Sequence, residues 1–465
     1  VRRAAALASA ALLVAACGRP RPAPAPVAPQ AAPDTTGARR DTVPPAAAAA
    51  PAEAARADQV RICAGGDVTL GTDLDTSWVR RAAAQPAALD SLILPVRALA
   101  AGADLVMVNA EGAIGDGPVL APKCGPHKMH CFMLRQPPAA AAALRGLGDS
   151  TTIVIANLAN NHAHDAGTSG FAHTAAALTA AGVHVTGADT EPTLVVTARG
   201  DTVAILGFSA WSTPGVQDLD DVRRLVARAA TRTHRVIVTM HIGAEGHLAQ
   251  RTGDSTEHYA GENRGNAVAF AHAAVDAGAT LVIGHGPHVL RGAEWRGDAL
   301  ILYSLGNLVN YGPFNLADPM RRGAVVCAAL DSAGRASDVL VRATAQWAPG
   351  VVTADSTGRA VRLVDSLSTL DFPQTGVTVD QATGVVVRRS AGAVRRFRGD
   401  GRRIVGREDP PHAAPGFDLV HEGPVEPALD HPARHAARLD EVAVADVDAD
   451  VRHDAMAERH EVAGL

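Results

Sequence analysis

The chain has 465 residues and a formal net charge of −5 with His neutral, from 43 Lys+Arg against 48 Asp+Glu. That balance excludes a protein that coats nucleic acid through a strong positive excess, and a hydrophobic share of 47% excludes a wholly disordered chain. Five cysteines are too few for a disulfide-framework miniprotein, and the length allows one large domain with appendages or two to three smaller ones. Lysine occurs only at Lys123 and Lys128. The accompanying excess of Ala, Gly and Pro is of the kind a GC-rich coding sequence produces, so Ala-rich and Pro-rich tracts carry little structural meaning by themselves.

Arg2 and Arg3 precede an apolar run over 4–16 that is too short to span a bilayer comfortably. It ends in Val14-Ala15-Ala16-Cys17, which predicts a signal segment over 1–17. A Cys at that junction resembles a bacterial lipobox, whose Cys becomes the lipidated first residue. An ordinary secretory signal with an incidental Cys is the alternative. Gly18 in place of Asp favours the outer membrane of a Gram-negative cell, by resemblance to the lipoprotein sorting pattern. Residues 18–57 alternate Pro with Ala, Arg and Thr and show no hydrophobic period, as a disordered tether would. No later run reaches membrane-spanning length, so the remainder is expected to be soluble.

From 58 to 350 short apolar runs alternate with helical stretches. Strands are expected at 59–65, 104–109, 152–156, 202–208, 235–240, 280–284, 299–304 and 323–330. Helices are expected at 86–101, 138–147, 168–181, 218–231 and 264–277. Continuous apolar strands between helices indicate an α/β protein with strands buried on both faces. Residues 351–408 read as a smaller β-rich region. Residues 409–465 hold six His in irregular spacing without an apolar face, which fits a disordered tail better than a metal-binding one.

Five strand ends finish in groups able to bind a metal. They are Gly65-Gly66-Asp67, Asn109-Ala110-Glu111-Gly112, Asn160-Asn161-His162 with Asp165, His241-Ile242-Gly243-Ala244-Glu245, and His285-Gly286-Pro287-His288. In α/β folds the carboxyl ends of strands form the ligand-binding face. Carboxylate, amide and imidazole donors without Cys suit Mn, Fe, Zn or Co. Asp67, Glu111, Asn161, His241, His285 and His288 are the candidate ligands of a two-metal centre. His162 is a candidate proton donor to a leaving oxygen, with Asp165 orienting its ring. Taken singly, each has a plain reading: Asp67 as a turn residue, Glu111 as a cap, Asn160 and Asn161 as turn formers, His241 as a core His. Asn307, after Ser304-Leu305-Gly306, is expected at the site rim, and no strained nucleophile elbow surrounds Ser304.

The blocks GGDVTLG, NAEG, ANLANNHAHDAG, HIGAEG, GHGPHVLRG and LYSLGN, ordered over about 60–340, resemble the CapA family of capsule or poly-gamma-glutamate synthesis proteins. That family resembles the calcineurin-like metallophosphoesterases. The resemblance implies a four-layer α/β/β/α sandwich and a dinuclear centre of divalent metals (Mn, Fe or Zn). Asp67 takes the place of the first metal-binding Asp, and Glu111 that of the bridging acid. Asn161 and His162 take those of the metal-binding Asn and the catalytic His. His241, His285 and His288 take those of the later His ligands. Thr69 stands where the wider pattern has a His, and Pro287 widens the last His pair. Asn160, Glu245, Asn307, Lys128 and Arg135 are candidates for substrate contact, the last two also readable as solvated loop charges.

Cys17 would carry the lipid. Cys124 and Cys131 lie in one loop and are expected to pair in an oxidising periplasm. Cys63 and Cys327 are expected to be separate small core residues. Three functions compete. One is an envelope-anchored metal-dependent hydrolase of a phosphorylated or amide-linked substrate. Another is a non-catalytic assembly or export factor that binds an anionic polymer, in company with a polymer synthase complex. The third, a structural lipoprotein whose site has decayed, is disfavoured by the retained ligand set. Nucleic acid is not an expected partner.

Overall fold

The computed structural model of the chain describes residues 58–72, 86–115 and 132–389. Cys17 with the signal segment and tether, the loop carrying Cys124, Lys128 and Cys131, and 390–465 lie outside the described residues. Two sheets carry the fold, one eight-stranded and one six-stranded. β1 (Val60–Thr69), β2 (Leu105–Ala110), β3 (Ile153–Asn157) and β4 (His184–Thr186) run parallel in the first. The chain then builds the second sheet from β5 (Thr193–Val196), β6 (Thr202–Ser209), β7 (Val236–His241), β8 (Leu281–His285), β9 (Ala293–Arg296) and β10 (Ala299–Leu302). It returns to the first with β11 (Asn307–Asn310), β12 (Arg322–Leu330), β13 (Ala336–Trp347) and β14 (Val351–Ala354).

Side-chain alternation along the strands makes the layers. Ile62, Leu105 and Met107 face Ile205, Ile237 and Ile283 of the other sheet in one buried cluster. Val106, Val108 and Val154 point the opposite way, into a second cluster with Leu89 and Ile93 of α1 (Pro86–Leu99), Leu144 of α2 (Ala139–Arg145) and Leu178 of α3 (Gly167–Ala180). A third cluster joins Val236, Val238 and Val282 to Leu225 of α4 (Leu219–Ala230) and Phe270 of α5 (Ala267–Asp276). The order helix, sheet, sheet, helix is the expected four-layer α/β/β/α sandwich.

Three differences from the sequence expectations have physical causes. Within 351–408, α6 (Arg359–Asp371) lies between β14 and a short ribbon pairing Thr378–Val379 with Val386–Val387. Its Val361, Val364 and Leu367 recur at helical spacing, and Val361 and Val364 join the inter-sheet core. β13, 12 residues long, escaped notice because its polar residues alternate with apolar ones along a less buried strand. Cys63 and Cys327 are not separate core residues. They face each other across antiparallel β1 and β12, with Cα atoms 4.0 Å apart, and form a disulfide. Nothing local announces a pair 264 residues apart in sequence.

Candidate metal centre

The strand ends of both sheets meet at one place, in register. In the first sheet Asp67 pairs with Asn307 on one side and Asn109 on the other, and Asn109 with Asn157. In the second, Ser209 pairs with His241 and His241 with His285. Two rows of polar residues thus cap a hydrophobic sandwich.

β1 reaches this position through Gly65-Gly66. The ladder to β2 shifts register between Ala64 and Asp67, where β1 leaves antiparallel β12 and pairs with parallel β11. A Cβ on Gly66 would lie 1.9 Å from the Gly306 carbonyl oxygen, so only glycine lets these backbones approach. Asp67 N donates to that same oxygen at 3.0 Å.

Asp67 is fully buried. Asn109 Nδ2 donates to its Oδ1 at 2.8 Å, and His288 Nδ1 lies 3.0 Å from its Oδ2. Burial alone would raise its pKa, but the neighbouring imidazoles of His285 and His288 outweigh burial and hold the carboxyl well below the usual range. The Asn109 amide is oriented by its other end, because its Oδ1 accepts from Asn157 Nδ2 at 2.9 Å and Asn160 Nδ2 at 3.2 Å. Its NH2 therefore faces Asp67 and His241, whose Nδ1 is 3.3 Å away.

Glu111 is buried beyond β2, and its amide donates to Val68 O at 2.9 Å. Its carbonyl accepts from Thr69 Oγ1 at 2.9 Å. Thr69, in the place of a His, therefore braces the backbone under Glu111. The Glu111 carboxylate Oε1 lies 3.6 Å from His288 Nε2 and 3.9 Å from His241 Nε2.

Asn160 caps the turn after β3, donating to Ala110 O at 3.0 Å and accepting from the His162 amide at 3.0 Å. Through these bonds it braces the turn that carries His162. His162 Nδ1 lies 2.6 Å from Asp165 Oδ2, which also accepts from Leu134 N at 2.7 Å. The carboxylate so fixed holds the ring. Asn161 is half-buried in the same turn. Arg135 lies in a two-residue strand paired with Ala113–Ile114, and the neighbouring Gln136 donates to Gly112 O at 3.1 Å.

On the other sheet, His288 has a left-handed backbone (φ 58°), a conformation that costs a non-glycine residue about 1–3 kcal/mol and marks functional sites. Its Nδ1 is also 3.2 Å from Asn307 Oδ1, which places Asn307 at the centre. Burial would lower the His288 pKa, but Glu111, Asp67 and Glu245 raise it well above the ordinary value. Burial drives that of His241 well below.

Both ring nitrogens of His285, and Nε2 of His241, are buried without a hydrogen-bond partner among the described residues. Leaving a buried polar atom unsatisfied costs about 1–3 kcal/mol. Ligand atoms of Asp67, Glu111 and His288 lie within 4.8 Å of one another beside them. Unsatisfied imidazoles facing clustered carboxylates are what a divalent metal would satisfy, so the residues fit one.

Two residues to which sequence reasoning gave no role complete the surroundings. Asn109 links both sheets; it sits two residues before Glu111, and strand alternation was the signal that could have found it. Arg264 carries no motif. Its Nη1 donates to Glu245 Oε1 at 2.6 Å, and its guanidinium stacks 4.4 Å from the Trp211 ring. Trp211 in turn is 6.2 Å from the His241 ring.

The model of the bacterial capsule synthesis protein family PGA_cap matches residues 61–311, more than half of the chain. The PGA biosynthesis protein CapA of Bacillus subtilis is 30% identical over 172 residues, covering 33% of this chain and 42% of that protein. The capsule biosynthesis protein CapA of Bacillus anthracis is 31% identical over 175 residues, 33% of this chain and 39% of that one. A probable polyglutamine synthesis accessory protein of Mycobacterium tuberculosis is 29% identical over 235 residues, 44% of this chain and 56% of that one. The matched region thus spans about half or less of these relatives. Among solved structures, the NAD nucleotidase of Haemophilus influenzae gives a TM-score of 0.33 at 10% identity, over 67% of this chain and 56% of that one, a likeness too slight to transfer fold or function. The family model, covering the strand ends from Asp67 to Asn307, shows that the chain belongs to the bacterial capsule synthesis protein family PGA_cap.

Proposed function

We propose that the chain is a metal-dependent hydrolase of the cell envelope, cleaving a phosphoester or amide bond in a capsule-type polymer or its carrier. The observation that carries this is the set of buried, unpartnered imidazole nitrogens on His241 and His285 against the carboxylates of Asp67 and Glu111, next to a His162–Asp165 pair. Asp67, Glu111, Asn161, His241, His285 and His288 would hold two divalent ions of the Mn, Fe or Zn class. Such ions supply a hydroxide nucleophile at neutral pH and polarise the oxygens of the scissile group.

The chain's own residues do the rest. Asp165 keeps the proton of His162 on Nδ1, which leaves Nε2 to exchange a proton with a leaving oxygen. Asn109 and Asn160 fix the loop that carries His162 to the end of β2. Anchoring through a lipidated Cys17 would keep the reaction at the membrane surface, and an anionic polymer is the expected partner.

A second reading, a non-catalytic polymer-binding factor, is favoured by one observation. Thr69 occupies the place of a ligand and spends its hydroxyl on the Glu111 backbone. Metal analysis of the purified chain, with hydrolysis of an aryl phosphodiester, separates the two. Bound metal, and a rate lost on Asp67→Ala or His285→Ala, support the hydrolase. Bound metal without turnover supports the binding factor, and neither metal nor rate removes both.

A further inference from the structure

We propose that Arg264 is an oxyanion-recognition residue beside the metal centre, and that Glu262 is its built-in competitor, displaced when an oxyanion ligand arrives. This rests on the reading of the centre as a hydrolase site and adds the charge class of the group it takes.

Arg264 is 4% exposed. A guanidinium so buried needs counter-charges, and it has two of different kinds. Glu245, on Nη1 at 2.6 Å, is itself largely buried, and its other oxygen lies 3.9 Å from His288 Nε2. It belongs to the centre. Glu262 Oε2 is 3.1 Å from Nη2, but its side chain is 50% exposed, on a two-residue ribbon strand, Glu262–Asn263, paired with His258–Tyr259. Ion pairs of that exposure contribute about 0–1 kcal/mol, so this contact is replaceable at little cost.

The guanidinium also has capacity left. Its Nε is buried with no hydrogen-bond partner among the described residues. Trp211 at 4.4 Å and Tyr259 at 5.2 Å cover its faces and set its plane. A guanidinium held in plane meets a ligand by its edge, and edge-on pairing of parallel N–H donors is the geometry that suits phosphate and carboxylate. Trp211 ties this edge to the centre through its contact with His241. A ligand with one group at the metals and a second oxyanion toward Arg264 would replace Glu262 without disturbing Glu245.

The test is calorimetric titration of the full chain in Mn2+, with inorganic phosphate in one arm and glutarate in the other, and metal content measured on every sample. Glu262→Gln is expected to tighten one of the two anions about two- to fivefold, since an exposed competing pair is removed. Arg264→Lys is expected to weaken the same anion about tenfold or more, because the edge-on pair is lost while the charge stays. The arm that responds tells phosphate from carboxylate. Failure of Glu262→Gln to tighten either anion, or parent-like binding by Arg264→Lys, overturns the proposal. If the chain takes up no metal but Glu262→Gln still tightens phosphate, the hydrolase reading falls and the anion site stands.

Discussion

The two halves of the centre are built on different principles. The first sheet supplies oxygen and amide groups, and these are already hydrogen-bonded to one another: Asp67 to Asn109, Asn109 to Asn157 and Asn160, Glu111 through its backbone to Thr69. The second sheet supplies imidazoles, and three of their nitrogens are buried without partners. The first side is largely knit together before any ligand arrives. The other carries the desolvation cost that a ligand would relieve. Preorganisation and affinity are thus divided between the sheets.

The largest test of that division concerns His162, which the first-sheet network holds. His162→Ala should lower turnover of an aryl phosphodiester by about 10²–10⁴-fold while metal content, read by mass spectrometry, stays near that of the parent. Loss of metal in this variant would move His162 into the ligand set and blur the two halves. Next is the covalent brace on the oxygen side. Cys63→Ser with Cys327→Ser should cost about 2–5 kcal/mol in chemical denaturation, and a loss near zero would show that the sheet needs no staple there.

Metal removal should reveal the asymmetry directly. Bound at a hundredfold its dissociation constant, a ligand stabilises by about 2.7 kcal/mol. Chelation should lower thermal stability, and hydrogen exchange should speed up at 236–241 and 281–290 more than at 105–111 and 153–160. Equal changes on both sides would break the comparison.

The smallest effect lies in the turn that leads into β3. Asp149 accepts four hydrogen bonds from Thr151 and Thr152, led by the Thr151 hydroxyl, which lower its pKa to about 2. A depressed carboxyl gives stability that is present above its ordinary value of 3.8 and lost as pH falls through about 2. Asp149→Asn should therefore lower the melting temperature slightly at pH 7, with the gap closing near pH 2. A gap unchanged by acid would assign it to shape instead of charge.

The sequence made the sandwich legible because its central strands are continuous apolar runs, such as Leu281–His285, whose two faces are both buried. It hid β13 and α6, whose patterns are diluted by polar residues on exposed faces. At the site, residues within glycine-flanked blocks could be picked out, because a strand end with a carboxylate or imidazole is unusual. Arg264 could not. Its role comes from Trp211, Tyr259 and Glu245 meeting around it, and no local pattern encodes such a meeting.

The bond between Cys63 and Cys327 spans 264 residues of sequence, including every second-sheet strand. A single cut by a protease anywhere between those cysteines would open the backbone without parting the pieces. The fragment ending in the cut and the fragment beginning there would stay tethered strand to strand through β1 and β12. On a denaturing gel the clipped protein would run as one species without reductant and as two with it. In an oxidising compartment the fold would thus tolerate nicking of its surface loops that would otherwise release half of its centre.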